Sequence, residues 1–167
     1  VGYNNQYFDN QIYQRIINGM IIPEDIYSYS QGIINSKNRF HRDFYDNNLS
    51  FEYLDLLKIN HYDNPARMTS LKKLEFNYRR KKILDLPFHH SQAVTKLSEL
   101  EDTIRYCMED VDTTEECYDY SLEAIKFRQD LSEKFNRPDF MNYSDVKIGT
   151  ELNLMSYSEL TELNPND

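Results

Sequence analysis

Phe51-Glu52-Tyr53-Leu54-Asp55-Leu56-Leu57-Lys58-Ile59 is the stretch on which the fold class turns. It is short, dense in apolar residues and closed by the polar break Asn60 to Pro65, the pattern of a strand in a sheet covered on both faces. On that reading the chain is α/β, because helical signals lie on either side of it.

Upstream, Val1-Gly2-Tyr3-Asn4 reads as the end of a second strand, and Asn5 to Phe8 turn the chain. Asp9 then opens a helix whose apolar positions Ile12, Ile16, Ile17 and Met20 keep the helical period. Asp9 is thereby expected at a helix N-terminus beside the carboxyl end of a strand, where open α/β sheets bind ligands. Residues 19–48 read as connection, with a short helix near Pro23 to Gln31.

Downstream, Thr69-Ser70 looks like a cap for a short helix through Leu71, Leu74 and Phe76 to Tyr78, with Lys72 and Lys73 on its polar side. Arg79 to Lys82 extend that basic run, and Ile83 to Pro87 form an extended connection. Ser98 with Glu101 resembles a capping box for a long helix reaching Phe135, with Ile104, Val111, Tyr118, Leu122 and Ile125 as its apolar face. Asn136 to Pro138 end it, Ser144 to Leu154 suit a further helix, and Asn164 to Asp167 form a polar tail. The expected division is residues 1–135 as one domain and 136–167 as a helical extension.

Composition narrows the function classes. The 167 residues include 14 Tyr and 9 Phe, and 40% are hydrophobic, enough for a packed core. A net charge of −9 disfavours a passive nucleic-acid-binding module, although carboxylates that hold divalent ions add negative charge themselves. Cys107 and Cys117, ten apart in one helix, cannot pair with each other and suit a reducing compartment. With no membrane-length apolar run and no signal-peptide pattern, the expected location is cytoplasmic, in a bacterial or phage-infected cell.

Two short patterns carry the chemistry. Tyr106 and Asp110 are four apart, so on a helix a phenol and a carboxylate share one face. With Asn4-x-x-x-Phe8-Asp9 before them and a strand and basic helix between, they resemble the later motifs of the DEDD (DnaQ-like) 3′ to 5′ exonucleases. The tyrosine type, as in the proofreading domains of phage and family B DNA polymerases, is the nearer match. Phe51 to Ile59, Ser70 to Leu74 and Leu86-Pro87 also look like that family's connecting region, so the resemblance covers Gly2 to about Arg128.

The resemblance implies a ribonuclease-H-like fold and two-metal hydrolysis of a phosphodiester at the 3′ end of single-stranded DNA, with RNA also open. Asp9 and Asp110 would hold two divalent cations, Mg²⁺ or Mn²⁺, and Tyr106 would orient the attacking water. Asn4 would help position the substrate strand or the loop, with Phe8 packed beside it. The basic run of Lys72, Lys73 and Arg79 to Lys82 suits a solvated face, yet in an acidic chain it is the one place able to meet phosphates, with Lys72 and Lys73 as the substrate-binding pair. The family's first motif, Asp-x-Glu, belongs upstream of Asn4, and Asp43, Asp46 and Asp63 do not supply it. The chain is therefore expected to be a piece of a longer polypeptide, partnered by a polymerase domain or by the missing N-terminal segment, with its first strands absent.

Blander roles stand beside these. Asp9 suits a helix start, Tyr106 a half-buried helix position, and Asp110 a solvated site or an ion pair with Arg105 or Arg128. His89 and His90 suit a surface role better than a metal site. A ribonuclease-H-like module without hydrolysis, kept for protein or nucleic-acid binding, is the rival function. An unrelated α-rich protein is the third, and it predicts no parallel pairing between residues 1–4 and 51–59.

Overall fold

The computed structural model describes residues 1–36, 48–60, 69–86, 88–89 and 92–163. Asp43, Asp46, Asp63, Pro65, Pro87, His90 and the tail 164–167 lie outside the described residues. The α/β expectation is overturned: the structure is 66% helix, with no strand or sheet among the described residues. It is therefore not a ribonuclease-H-like fold, complete or truncated.

The seven α-helices described are α1 (Asp9–Ile17), α2 (Pro23–Asn35), α3 (Leu56–Ile59), α4 (Leu71–Asn77), α5 (Leu97–Tyr120), α6 (Leu122–Phe135) and α7 (Asp145–Thr161). A 3-10 turn, Pro138–Asn142, joins α6 to α7. They form two compact units, Val1–Asp55 and Leu56–Asp167.

The correction centres on Phe51 to Ile59. Its apolar residues are buried consecutively rather than alternately: Leu54, Leu56, Leu57 and Ile59 all lie inside. A short continuous apolar run has no periodicity to separate a covered strand from a buried helical turn. Leucine and lysine dominate its second half and Ile59 is its lone β-branched residue, so the local preference is helical. Leu56–Ile59 accordingly coil into α3. What survives of the expected pairing is one isolated parallel bridge, Gly2 with Asp55, closed by the Gly2 N–H on the Leu54 carbonyl at 3.0 Å. The two segments do meet in parallel, and a single bridge is not a sheet.

In the first unit that bridge is held by side chains. Asn4 adopts a left-handed backbone (φ 56°), and its N–H donates to the buried Asp55 Oδ1 at 2.8 Å. A Cβ on Gly2 would meet the Asn5 side chain at 2.6–2.9 Å, so glycine is required for this approach. Helix α1 starts at Asp9 as expected but buries its amide side: Asn10, Gln11 and Gln14 are inside, while Tyr13, Ile16 and Ile17 are exposed. Gln14 Oε1 accepts from the Ser50 N–H (2.6 Å) and hydroxyl (3.1 Å), and its Nε2 donates to Asn18 Oδ1 at 2.9 Å. Pro23 opens α2, where its missing N–H costs nothing, and Ile33 is that helix's buried residue.

The second unit is built around a buried arginine. Arg128 on α6 is fully buried and donates to the carbonyls of Ala124 (3.0 Å), Ile59 (3.1 Å) and Tyr143 (3.1 Å), and to Asp145 Oδ1. One guanidinium thus ties α3, α6 and the start of α7 together, with Phe140 and Ile148 buried in the same unit. Its carboxylate partner is Asp145, not Asp110.

The long helix expected to reach Phe135 is instead divided at Ser121. The Ser121 hydroxyl donates to the Cys117 carbonyl (2.7 Å) and accepts from Asn60 Nδ2 (2.9 Å), so the break is held by a buried side chain. Helix α6 ends on Asn136 in the left-handed conformation, with Arg137 N–H on the Ser132 carbonyl and Asn136 N–H on that of Glu133. That is the doubly bonded left-handed terminator, after which Pro138 prevents continuation.

Candidate functional site

The expected chemistry residues divide between the two units. Asn4, Phe8 and Asp9 belong to the first, and Lys72, Lys73, Tyr106 and Asp110 to the second.

In the first unit, Asn4 is committed through its backbone to Asp55, and Phe8 directly precedes α1. Asp9 keeps solvent contact while partial desolvation raises its carboxyl pKa, opposed by a hydrogen bond from its own backbone N–H. A carboxylate in the first helical turn with that environment favours the helix end.

In the second unit, Tyr106, Asp110 and Lys72 come together between α4 and α5. The Ser70 hydroxyl caps α4 by accepting from the Lys73 N–H at 3.4 Å, which sets Lys72 against α5. Lys72 Nζ donates to Asp110 Oδ1 (3.0 Å) and Glu75 Oε1 (2.9 Å), and stands 4.6 Å from the centre of the Tyr106 ring. Tyr106 hydrogen-bonds Asp110, so the four-residue spacing does put phenol and carboxylate in contact. Thr113, one turn further along, donates to Glu75 Oε1 at 3.4 Å and to the Glu109 carbonyl at 2.8 Å. Lys73 lies on the exposed side of α4.

The electrostatics follow from this arrangement. Partial burial lowers the Lys72 pKa, but hydrogen bonds to and the charges of Glu75 and Asp110 outweigh it, so the ammonium is held above its ordinary value. Burial first, then the charge and hydrogen bond of Asp110, raise the Tyr106 phenol. With its pKa raised, the Tyr106 phenol keeps its proton and donates in this bond.

A second clamp lies beside the first. Arg80 donates to Glu109 Oε1 (2.7 Å) and, through Nε and Nη2, to Glu116 Oε2 (3.1 and 2.9 Å). Burial pulls the Arg80 pKa down and these carboxylates raise it further than that. Two members of the basic run expected to meet phosphates therefore meet α5 carboxylates.

In this unit Asp110 is the carboxylate expected to hold a divalent cation. Asp110 already accepts from Lys72 and Tyr106, so the lysine ammonium stands where a bound cation would be attracted. No group of three or more His, Cys, Asp or Glu that could hold a metal occurs among the described residues. The arrangement can clamp two helices and hold a phenol neutral.

Sequence reasoning missed Glu75, Glu109 and Glu116, while Thr113, read from its place beside Asp110 as a surface or packing residue, is buried. The available signal was charge: a basic stretch at residues 72–82 and an acidic one at 109–116 are complementary. Compared with protein-family models, curated proteins and solved structures, the chain matches none. No helix among the described residues is long and apolar enough to cross a membrane.

Proposed function

We propose that the chain is a helical protein-binding module, with the outer face of α5 as its working surface. One observation carries this. Helix α5 buries Thr113 and Cys117 on the side that carries Tyr106 and Asp110, while Leu97, Leu100, Ile104, Met108 and Val111 on the opposite side are exposed. At 3.6 residues per turn these five form one stripe. Contiguous exposed apolar surface of this kind marks interaction sites. The ion clusters hold α4 on the polar side, which leaves the apolar side outward.

The test is direct. A dye that fluoresces on exposed apolar surface is expected to brighten with the wild-type chain and to lose most of that signal with Ile104→Gln/Met108→Gln/Val111→Gln, at unchanged far-ultraviolet dichroism. An equal signal from both proteins would remove the reading.

A second reading, phosphodiester hydrolysis, has one observation in its favour: Tyr106, Asp110 and Lys72 do gather at one place. It requires labelled single-stranded DNA to shorten from its 3′ end with Mg²⁺ or Mn²⁺, and Asp110→Asn to abolish the shortening. Absence of turnover by the wild-type chain removes that reading and leaves the binding module.

A further inference from the structure

Resting on the binding-module reading, the charges around the α5 stripe point to its occupant, and we propose that it is an amphipathic helix with basic flanks. The stripe spans about 21 Å of helix, from Leu97 to Val111. That length suits a single helix laid along it, since apolar residues at i, i+3/i+4 and i+7 spacing form the seam that a partner helix fills.

The rim selects the partner. On the wheel, Glu101, Asp112 and Asp119 lie along one edge, and Glu115 falls on the stripe's own line just beyond Val111. Among the described residues none of these four takes part in an ion pair that closes the edge. Arg105 sits at the same edge but is turned to Asp102 at 3.3 Å. Elsewhere on α5 the carboxylates are occupied: Glu109 and Glu116 by Arg80, Asp110 by Lys72. The buried side of the helix is neutralised, and the exposed apolar stripe is left with an acidic border along one edge and at its Val111 end.

A second copy of the chain is a poor occupant. Laid antiparallel it would bring the edge carrying Glu101, Asp112 and Asp119 against the same edge of the other copy, and in either direction each copy carries a net charge of −9. Like charges across a helix pair oppose pairing, while opposite ones at the flanks set partner choice. Lysines or arginines at a partner's flanking positions meet the edge with favourable charge, and their methylene stems cover the ends of the stripe.

The experiment uses the full chain and two synthetic fluorescent peptides, both with Leu at heptad positions a and d, one with Lys and the other with Glu at e and g. The Lys peptide is expected to bind with salt-sensitive affinity, and the Glu peptide about tenfold or more weakly by comparison. Ile104→Gln/Val111→Gln, which keeps every charge, is expected to weaken the Lys peptide about tenfold. Glu101→Gln/Asp112→Asn, which keeps the stripe, is expected to weaken it a few-fold. Absence of Lys-peptide binding overturns the proposal, as does equal binding of the two peptides. Undiminished binding to the Ile104→Gln/Val111→Gln variant overturns it too, because attraction to an acidic surface would then explain everything. A wild-type dimer that the same variant converts to monomer overturns it in favour of a second copy. Loss of the peptide result with the dye result intact removes only the basic helix and keeps the binding face.

Discussion

Arg128 is the residue whose loss the second unit is least able to absorb. Its guanidinium satisfies three carbonyls and one carboxylate from a position with no solvent access, so truncation leaves buried acceptors unmet. Arg128→Ala is expected to destabilise the unit by about 3–5 kcal/mol, measured by urea unfolding. A change under about 1 kcal/mol would mean that water or rearrangement replaces those bonds. Asp139 offers a contrast at the surface. The hydrogen bond from Arg137 comes first among the causes that lower its pKa from 3.8 to about 2. The folded value lies below the unfolded one, so its contribution is present above about pH 4 and is lost as pH falls toward 2. Solvent screening limits it to about 1 kcal/mol or less. Asp139→Asn is expected to flatten the acid limb of the stability curve over that window while leaving the neutral-to-alkaline slope alone.

At the scale of elements, the α4–α5 contact is the place to test whether the candidate site is architecture. Removing Lys72 leaves the buried Glu75 with a hydrogen bond from the Thr113 hydroxyl across the contact, at the long distance of 3.4 Å. Lys72→Met is expected to cost about 1–3 kcal/mol, and Lys72→Met/Glu75→Gln to recover part of it, since the uncompensated charge is the main penalty. The Lys72 and Tyr106 pKa values are both raised in the fold, from 10.5 and 10.0. Their contribution is full below those unfolded values and is lost as pH rises through the higher folded ones. Alkaline unfolding that sets in above about pH 10 and is blunted in Lys72→Met/Tyr106→Phe is the expected result. Helix starts were largely readable because they depend on local chemistry: Asp9, Pro23, Ser70 and Ser144 all stand at or beside observed starts. At α5 the closing carboxylate is Glu99, which accepts from the Thr95 (3.0 Å) and Lys96 (3.2 Å) N–H groups, rather than the Ser98 and Glu101 pair. The Ser121 break was hidden because the bond that holds it comes from Asn60, far away in sequence. The gathering of Tyr106 with Asp110 was readable from spacing alone, and its partner Glu75 was not, because periodicity never says which helix will pack against a face.

Across the molecule, the same inversion recurs in both units. Helix α1 turns Gln11 and Gln14 inward and Ile16 and Ile17 outward, as α5 turns Thr113 inward and Ile104 and Val111 outward. Apolar periodicity picked out Ile16 and Ile17 on α1 and Ile104 and Val111 among the expected face of the long helix, of which Ile125 is buried and Ile104 and Val111 are exposed, since an amphipathic pattern shows that a face will be covered without saying by what. In each unit the polar face is held by directed bonds: Gln14 to Ser50 in the first, Lys72 and Arg80 to α5 in the second. Those bonds are specific and leave the apolar faces available, while a net charge of −9 opposes association between copies. Self-association should therefore be suppressed near neutral pH at low salt and rise as salt screens the charge or acid titrates the carboxylates. Light scattering across a salt series is expected to show that rise for the wild-type chain, with Ile16→Gln/Ile17→Gln and Ile104→Gln/Val111→Gln each reducing it. Both pairs are exposed, so each should change stability by no more than about 0.5 kcal/mol. Scattering that grows with salt equally in all three proteins would place the sticky surface elsewhere and end the argument that the outward faces govern what this chain binds.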